Sequence, residues 1–144
     1  MSKEKIGALI TFQRDDDLNV LQTDGIKLGS LIVSSVIVAL FRKESDVHDG
    51  SMILYGDKIE RIGSFFEIDF SSQIKNKNFG ARHRAASGIT KSSDAISITV
   101  SEETGKIHIF EDGIPKLVKS KDIFEELNRR IKGSKKFNKI PDSI

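Results

Sequence analysis

The 144-residue chain contains no cysteine. Disulfides, thiolate zinc sites and cysteine nucleophiles are therefore excluded together. Proline is almost as scarce: only Pro115 and Pro141 occur, so no proline-rich linker divides the chain. No apolar run approaches the roughly 18 residues of a membrane-spanning helix. The nearest, residues 31–41, is too short and contains Ser34 and Ser35. The opening MSKEK has no apolar core of the kind a secretory leader carries. Internal repeats and low-complexity tracts are absent as well. No Gly-rich loop ending in Gly-Lys-Ser/Thr and no GxGxxG occurs, which disfavours P-loop NTPases and Rossmann enzymes.

What is present fits one soluble globular domain. Hydrophobic residues make up 38% and charged residues 31%, and the length suffices for a single core. The formal charge is +2 and the pI 8.8, but the charge is unevenly spread. Residues 1–115 carry 14 Lys and Arg against 17 Asp and Glu, whereas residues 116–144 carry 9 against 4. The body is slightly acidic, so a broad nucleic-acid face is not expected. The lysines near the end alternate with Asp122, Glu125 and Glu126, as on a solvated helix face. Residues 1–133 are expected to form the domain and 134–144 a basic, flexible tail.

Periodicity outlines the elements. Residues 6–12 read as a strand, and Asp15, Asp16 and Asp17 as a solvated turn that breaks it. Residues 28–41 suit a buried helix by length, with Ser30 as its N-cap. Residues 51–55 and 58–69 read as a hairpin around Gly56-Asp57. Residues 71–79 are polar and read as a loop. Residues 94–101 and 106–110 alternate and are joined through Thr104-Gly105, the most secure hairpin. Ser120 caps a last helix with Ile123, Phe124, Leu127 and Ile131 on one stripe and Gly133 at its end. Mixed strands and helices imply an α/β or α+β class.

Three polar clusters fall at element ends. His48-Asp49-Gly50-Ser51 allows a tight turn that projects a carboxylate, although Asp-Gly is also an ordinary turn. Gly80-Ala81-Arg82-His83-Arg84-Ala85-Ala86 places two arginines at the start of a helix. It reads either as an anion site, where helix N–H groups and guanidinium forks hold phosphate, or as a solvated basic turn. Ser101-Glu102-Glu103-Thr104-Gly105 is either a solvent-facing turn or a source of a hard-metal ligand, with Ser101 available to phosphate. Together they equip nucleotidyl or phosphoryl transfer, where positioning and charge neutralisation dominate. His108, inside an alternating strand, reads as a packing or surface residue.

In order and spacing these clusters resemble the diadenylate cyclase family, the catalytic domain of cyclic di-AMP synthases. Asp49-Gly50-Ser51 is similar to the family's Asp-Gly-Ala. The Arg-His-Arg segment is similar to its Gly-Thr-Arg-His-Arg-Ala-Ala, and Ser101 to Gly105 matches its Ser-Glu-Glu-Thr-Gly. The resemblance runs from about residue 6 to 131. It implies a single α/β domain with a central twisted mixed β-sheet and helices on both sides. It also implies condensation of two ATP into cyclic di-AMP and two pyrophosphates across a face-to-face homodimer, higher oligomers being a further option. A cytoplasmic location follows, or the cytoplasmic face of a membrane if the chain is an excised domain.

The implied catalytic residues are Asp49, Gly50, Arg82, His83 and Arg84. The implied nucleotide contacts are Phe65, Phe66, Gly80, Ala81, Arg82, His83, Arg84, Ser101, Glu102 and Glu103. A divalent ion, Mn²⁺ or Mg²⁺ with Co²⁺ as a third option, would be held by Asp49, Glu103 and His48. Three departures stand out. Ala81 replaces the usual Thr, and Ser51 replaces Ala. Phe65-Phe66-Glu67-Ile68 stands where the family has Tyr-Leu-Pro-Leu, whose backbone reads the adenine edge. A catalytically weak or inactive nucleotide-binding or sensor module of the same fold is the alternative reading.

Overall fold

Strand β1 (Ala8–Gln13) is the axis of the computed structural model, which describes residues 1–23, 25–66 and 79–131. All six residues of β1 are buried, because neighbours flank it on both edges and helices cover both faces. It pairs in parallel with β4 (Ser51–Tyr55) and antiparallel with β6 (Ile96–Val100). Beyond β4 lies β5 (Lys58–Phe66), whose far edge carries β2 (Gln22–Thr23) and β3 (Ile26–Leu31). Beyond β6 come β7 (Ile107–Glu111) and β8 (Ile114–Val118), both antiparallel. The result is an 8-stranded mixed sheet with the path β2-β5-β4-β1-β6-β7-β8 and β3 on the edge of β5.

The period of two along β1 sorts its side chains between two cores. Ala8, Ile10 and Phe12 join Ile37 and Phe41 of α1 (Ser34–Phe41) and Ile123, Leu127 and Ile131 of α3 (Ile123–Ile131). Leu9 faces the other way, with Ala86 and Ile89 of α2 (Ala81–Ser92) and Phe110. Helices therefore flank both faces. On the α2 face Thr11 Oγ1 lies 2.9 Å from both Ser51 Oγ and Ser97 Oγ, so hydroxyls on three adjacent strands satisfy one another.

Both expected hairpins form. Tyr55 pairs with Lys58 around Gly56-Asp57, and Val100 with Ile107 around the 101–105 turn. The expected helix over 28–41 is shorter than that. Gly29 has φ +66°, and the register of β3 against β5 shifts between Lys27 and Ser30. A left-handed glycine ends any helix through that point, so residues 26–31 become a bulged edge strand and Ser30 caps nothing. The helix starts at Ser34, with Val33 at its N-cap and no side-chain cap bond. Only Ile37 and Phe41 of it are buried.

The last helix also differs. A 3-10 turn occupies Ser120–Asp122, Lys119 precedes it, and Ser120 makes no cap. Ile123, Leu127 and Ile131 are buried as expected, but Phe124 is 45% exposed. Strand β8 had no clear signal, since Pro115 argues against a strand; it is tolerated because β8 is the sheet's edge. The three acids 15–17 form a hydrogen-bonded turn. Asp94 accepts from the N–H groups of Asp15 and Asp16, Asp16 accepts from that of Asp94, and Asp17 caps a 3-10 turn at Leu18–Val20. The expected loop at 71–78, the end of the 58–69 strand, Gly133 and the 134–144 tail lie outside the described residues.

Candidate active site

The Asp49-Gly50 turn is pressed against β5. Gly50 has φ +83°, and a Cβ there would lie 2.8 Å from the carbonyl carbon of Gly63 and 2.9 Å from the carbonyl oxygen of Ser64. Only glycine permits both the conformation and the approach. The turn projects Asp49 outward, with its side chain 71% exposed. Beside it, His48 Nδ1 lies 2.8 Å from the Ser45 carbonyl oxygen. That bond requires hydrogen on Nδ1, so the neutral ring keeps its lone pair on Nε2, 3.5 Å from Asp49 Oδ1.

Helix α2 starts immediately after Gly80 and delivers Arg82 from its first turn. Arg82 Nη2 lies 3.8 Å from Asp49 Oδ1, and Nη1 lies 3.8 Å from Glu102 Oε2. One guanidinium thus joins all three sequence clusters, and its side chain is only 22% exposed. Its Nε is buried without a hydrogen bond.

His83 points the other way. It is 6% exposed, its ring stacks on Phe79 at 4.4 Å, and its Nδ1 accepts the N–H of Gly80, which ties down the helix start. Burial, reinforced by His108 and Arg82, lowers its pKa from 6.5 to about 4. The ring is therefore neutral at pH 7. His108 packs edge-on against Phe79 and His83, which makes it the packing residue expected. Arg84 is exposed on the next stretch of the helix.

At the third cluster, the Ser101 hydroxyl accepts the N–H groups of Glu103 and Thr104. Its own hydrogen remains to be donated. Glu102 is the acid that meets Arg82, while Glu103 is exposed on the turn. The structure brings His48 and Asp49 together. Among the described residues, no three His, Asp or Glu side chains converge into a metal cage.

Between β5 and α2 lies a cleft of about 360 Å³, within the size range of small-ligand sites. Leu9, Phe65, Phe66, Ala81 and Ala85 line it, while Asp49, Gly50 and Arg82 form its polar end. A flat apolar group attached to an anionic one matches that division. Phe66 is 9% exposed and Phe65 51%. Sequence reasoning missed Leu9, Ser64 and Ala85. Ala85 follows Ala81 by one helical turn, a signal that was available. Leu9 and Ser64 come from strands far apart in sequence, and no local pattern marks them.

Residues 1–114 match the profile of the family described as "DisA bacterial checkpoint controller nucleotide-binding", also termed DAC. The chain belongs to the diadenylate cyclase family. It is 38% identical over 113 residues to a diadenylate cyclase of Listeria monocytogenes, covering 78% of this chain and 41% of that protein. It is 35% identical over 121 residues to one from Mycoplasma genitalium, covering 83% of this chain and 60% of that protein. The chain thus spans about two fifths of the Listeria relative's length. A crystal structure of DacA from Staphylococcus aureus superposes with a TM-score of 0.80 at 41% identity, covering 89% of this chain and 85% of that one. The α/β fold of the family is therefore the fold found here.

Proposed function

We propose that this domain is a diadenylate cyclase: it condenses two ATP into cyclic di-AMP and releases two pyrophosphates. The observation that carries the reading is the Arg82 guanidinium. It stands between Asp49 and Glu102 at the polar end of an apolar cleft. The adenine would lie between Phe65, Phe66 and the small face of Ala81 and Ala85. The phosphates would run toward Arg82 and Arg84, with the Ser101 hydroxyl donating to them. His83, Gly80 and Glu102 then act by holding the helix start and Arg82 in place, and Gly50 by fixing the turn under Asp49.

In each half-reaction a ribose 3′-oxygen attacks the α-phosphorus of the facing ATP. A new P–O bond forms, the bond to the β-phosphate oxygen breaks, and pyrophosphate leaves with that electron pair. Asp49 takes the 3′-hydroxyl proton. One protomer holds one ATP, so ring closure requires two protomers facing each other.

The Asp49 carboxylate and the free Nε2 of His48 suit a divalent ion. Oxygen donors serve Mg²⁺, and an imidazole beside the carboxylate favours Mn²⁺ or Co²⁺. Glu103 is a third ligand only by family resemblance. Bound there, the ion would neutralise phosphate charge and acidify a nearby hydroxyl.

Use of ATP as substrate would suit a cytoplasmic domain, free or tethered to a membrane face. Among the described residues no helix is long and apolar enough to cross a membrane. Nucleic acid is not a proposed partner. Lys116, Arg129 and Arg130 are engaged by Glu126, and Arg130 also by Glu111.

Incubation with ATP and Mn²⁺ or Mg²⁺, followed by chromatography of products, tests the proposal. Cyclic di-AMP should form, and its absence at concentrations that support dimers refutes the reading. Ala81, where the family has Thr, favours the second reading of an inactive nucleotide-binding module. Tight ATP binding without turnover would establish that alternative.

A further inference from the structure

Gly7 lies just before β1, outside all three sequence clusters. Its backbone is not in the left-handed region, so alanine could adopt the same conformation. Room is what it lacks. A Cβ at Gly7 would lie 2.8 Å from Arg82 Nη1, 3.0 Å from Arg82 Cζ and 3.2 Å from Glu102 Cβ. At 2.8 Å the Arg82 Nη1 atom has to move, and as the end of a flexible side chain it is the group that yields. The guanidinium therefore lies close against the Gly7 backbone, its side chain 22% exposed, where it faces Asp49 and Glu102 together.

We infer that Gly7 is a positioning residue for nucleotide binding: the missing side chain is the seat that aims Arg82 into the cleft. This inference rests on the phosphate role given to Arg82 above. A methyl group at residue 7 would lift the guanidinium and break its two-carboxylate geometry. The first turn of α2 would stay in place, because Gly80 and His83 hold it independently. The tighter contacts are with Arg82 and only the looser one, at 3.2 Å, is with Glu102 Cβ, so most of the effect must vanish when Arg82 is absent. A general packing role would not behave that way.

The test is a double-mutant cycle read by calorimetric binding of 3′-deoxy-ATP, which cannot be condensed. Arg82→Ala should weaken binding at least tenfold. Gly7→Ala should weaken it three- to tenfold with Arg82 present, and less than twofold in the Arg82→Ala background. Wild-type affinity in Gly7→Ala, or an equal loss in both backgrounds, overturns the role of Gly7 while leaving that of Arg82. Wild-type affinity in Arg82→Ala overturns the phosphate reading and, with it, this inference. If Gly7→Ala alone does not fold, adding Arg82→Ala should restore folding by removing the clash. A double variant that also fails to fold overturns the inference.

Discussion

Asp49 and His83 show how differently two polar residues of one site are held. The Asp49 side chain is 71% exposed and contributes little to packing. Asp49→Asn removes the proposed base yet keeps the shape. We expect turnover to fall by about 10²–10⁴-fold, the usual worth of a positioned base. The thermal midpoint should stay within about 2 °C of wild type. A turnover within threefold of wild type would remove Asp49 from the mechanism. His83 is buried and neutral, with its pKa lowered to about 4. The unfolded chain binds a proton near pH 6.5, whereas the folded chain waits until about pH 4. Stability from this group is thus full above pH 6.5 and is lost as pH falls toward 4. The loss is about 3 kcal/mol at 1.4 kcal/mol per unit. Burial lowers the pKa of His108 in the same direction. Urea unfolding between pH 7.5 and 4 should show this slope, and His83→Asn should flatten it. Equal slopes in both proteins would show that the ring is not buried uncharged.

Among elements, α3 is a docked lid on the core rather than part of the site. Leu127 is 1% exposed and packs with Ile123 and Ile131 in the core beneath α1 and β1. Leu127→Ala should cost about 2–5 kcal/mol by leaving a cavity. Nucleotide affinity, measured below the melting range, should be unchanged, because the cleft lies on the α2 face. A loss of affinity in the folded variant would couple the two faces. The elements differ in how legible they were. The β6–β7 hairpin could be read directly, since alternation leaves little choice, whereas of α2 only the start was marked, with a basic turn as the alternative. Strand β3 could not: Ile, Leu and Val suit either state in a short run, and Gly29 decides the matter only through its φ. The site's charged residues were legible as motifs at element ends. Of its walls, Phe65, Phe66 and Ala81 were marked by the family resemblance and line the cleft. Leu9, Ser64 and Gly7 were not, because they meet Arg82 or the cleft only after β1, β5 and α2 are packed together.

At the scale of the whole molecule, the proposed reaction makes this site half of a reaction centre. The cleft of about 360 Å³ lies in the size range of small-ligand sites, and a single Asp49 stands at its polar end. Ring closure needs two bonds, and in the proposed reaction each is made by a 3′-oxygen held in one protomer against phosphate held in the other. In a mixed dimer of wild type and Asp49→Asn, only one of the two 3′-hydroxyls meets an intact base. The first bond can form and the second cannot. Wild-type enzyme titrated with excess Asp49→Asn should therefore lose cyclic di-AMP output and accumulate the linear triphosphorylated dinucleotide. Bovine serum albumin at the same concentration should do neither. Specific activity of the wild type alone should also rise with protein concentration until the dimer saturates. Unchanged cyclic product under a tenfold excess of Asp49→Asn would mean that protomers do not share the reaction. Activity independent of concentration across the range where light scattering reports monomer would place both ATP molecules in one chain, against the proposed shared centre.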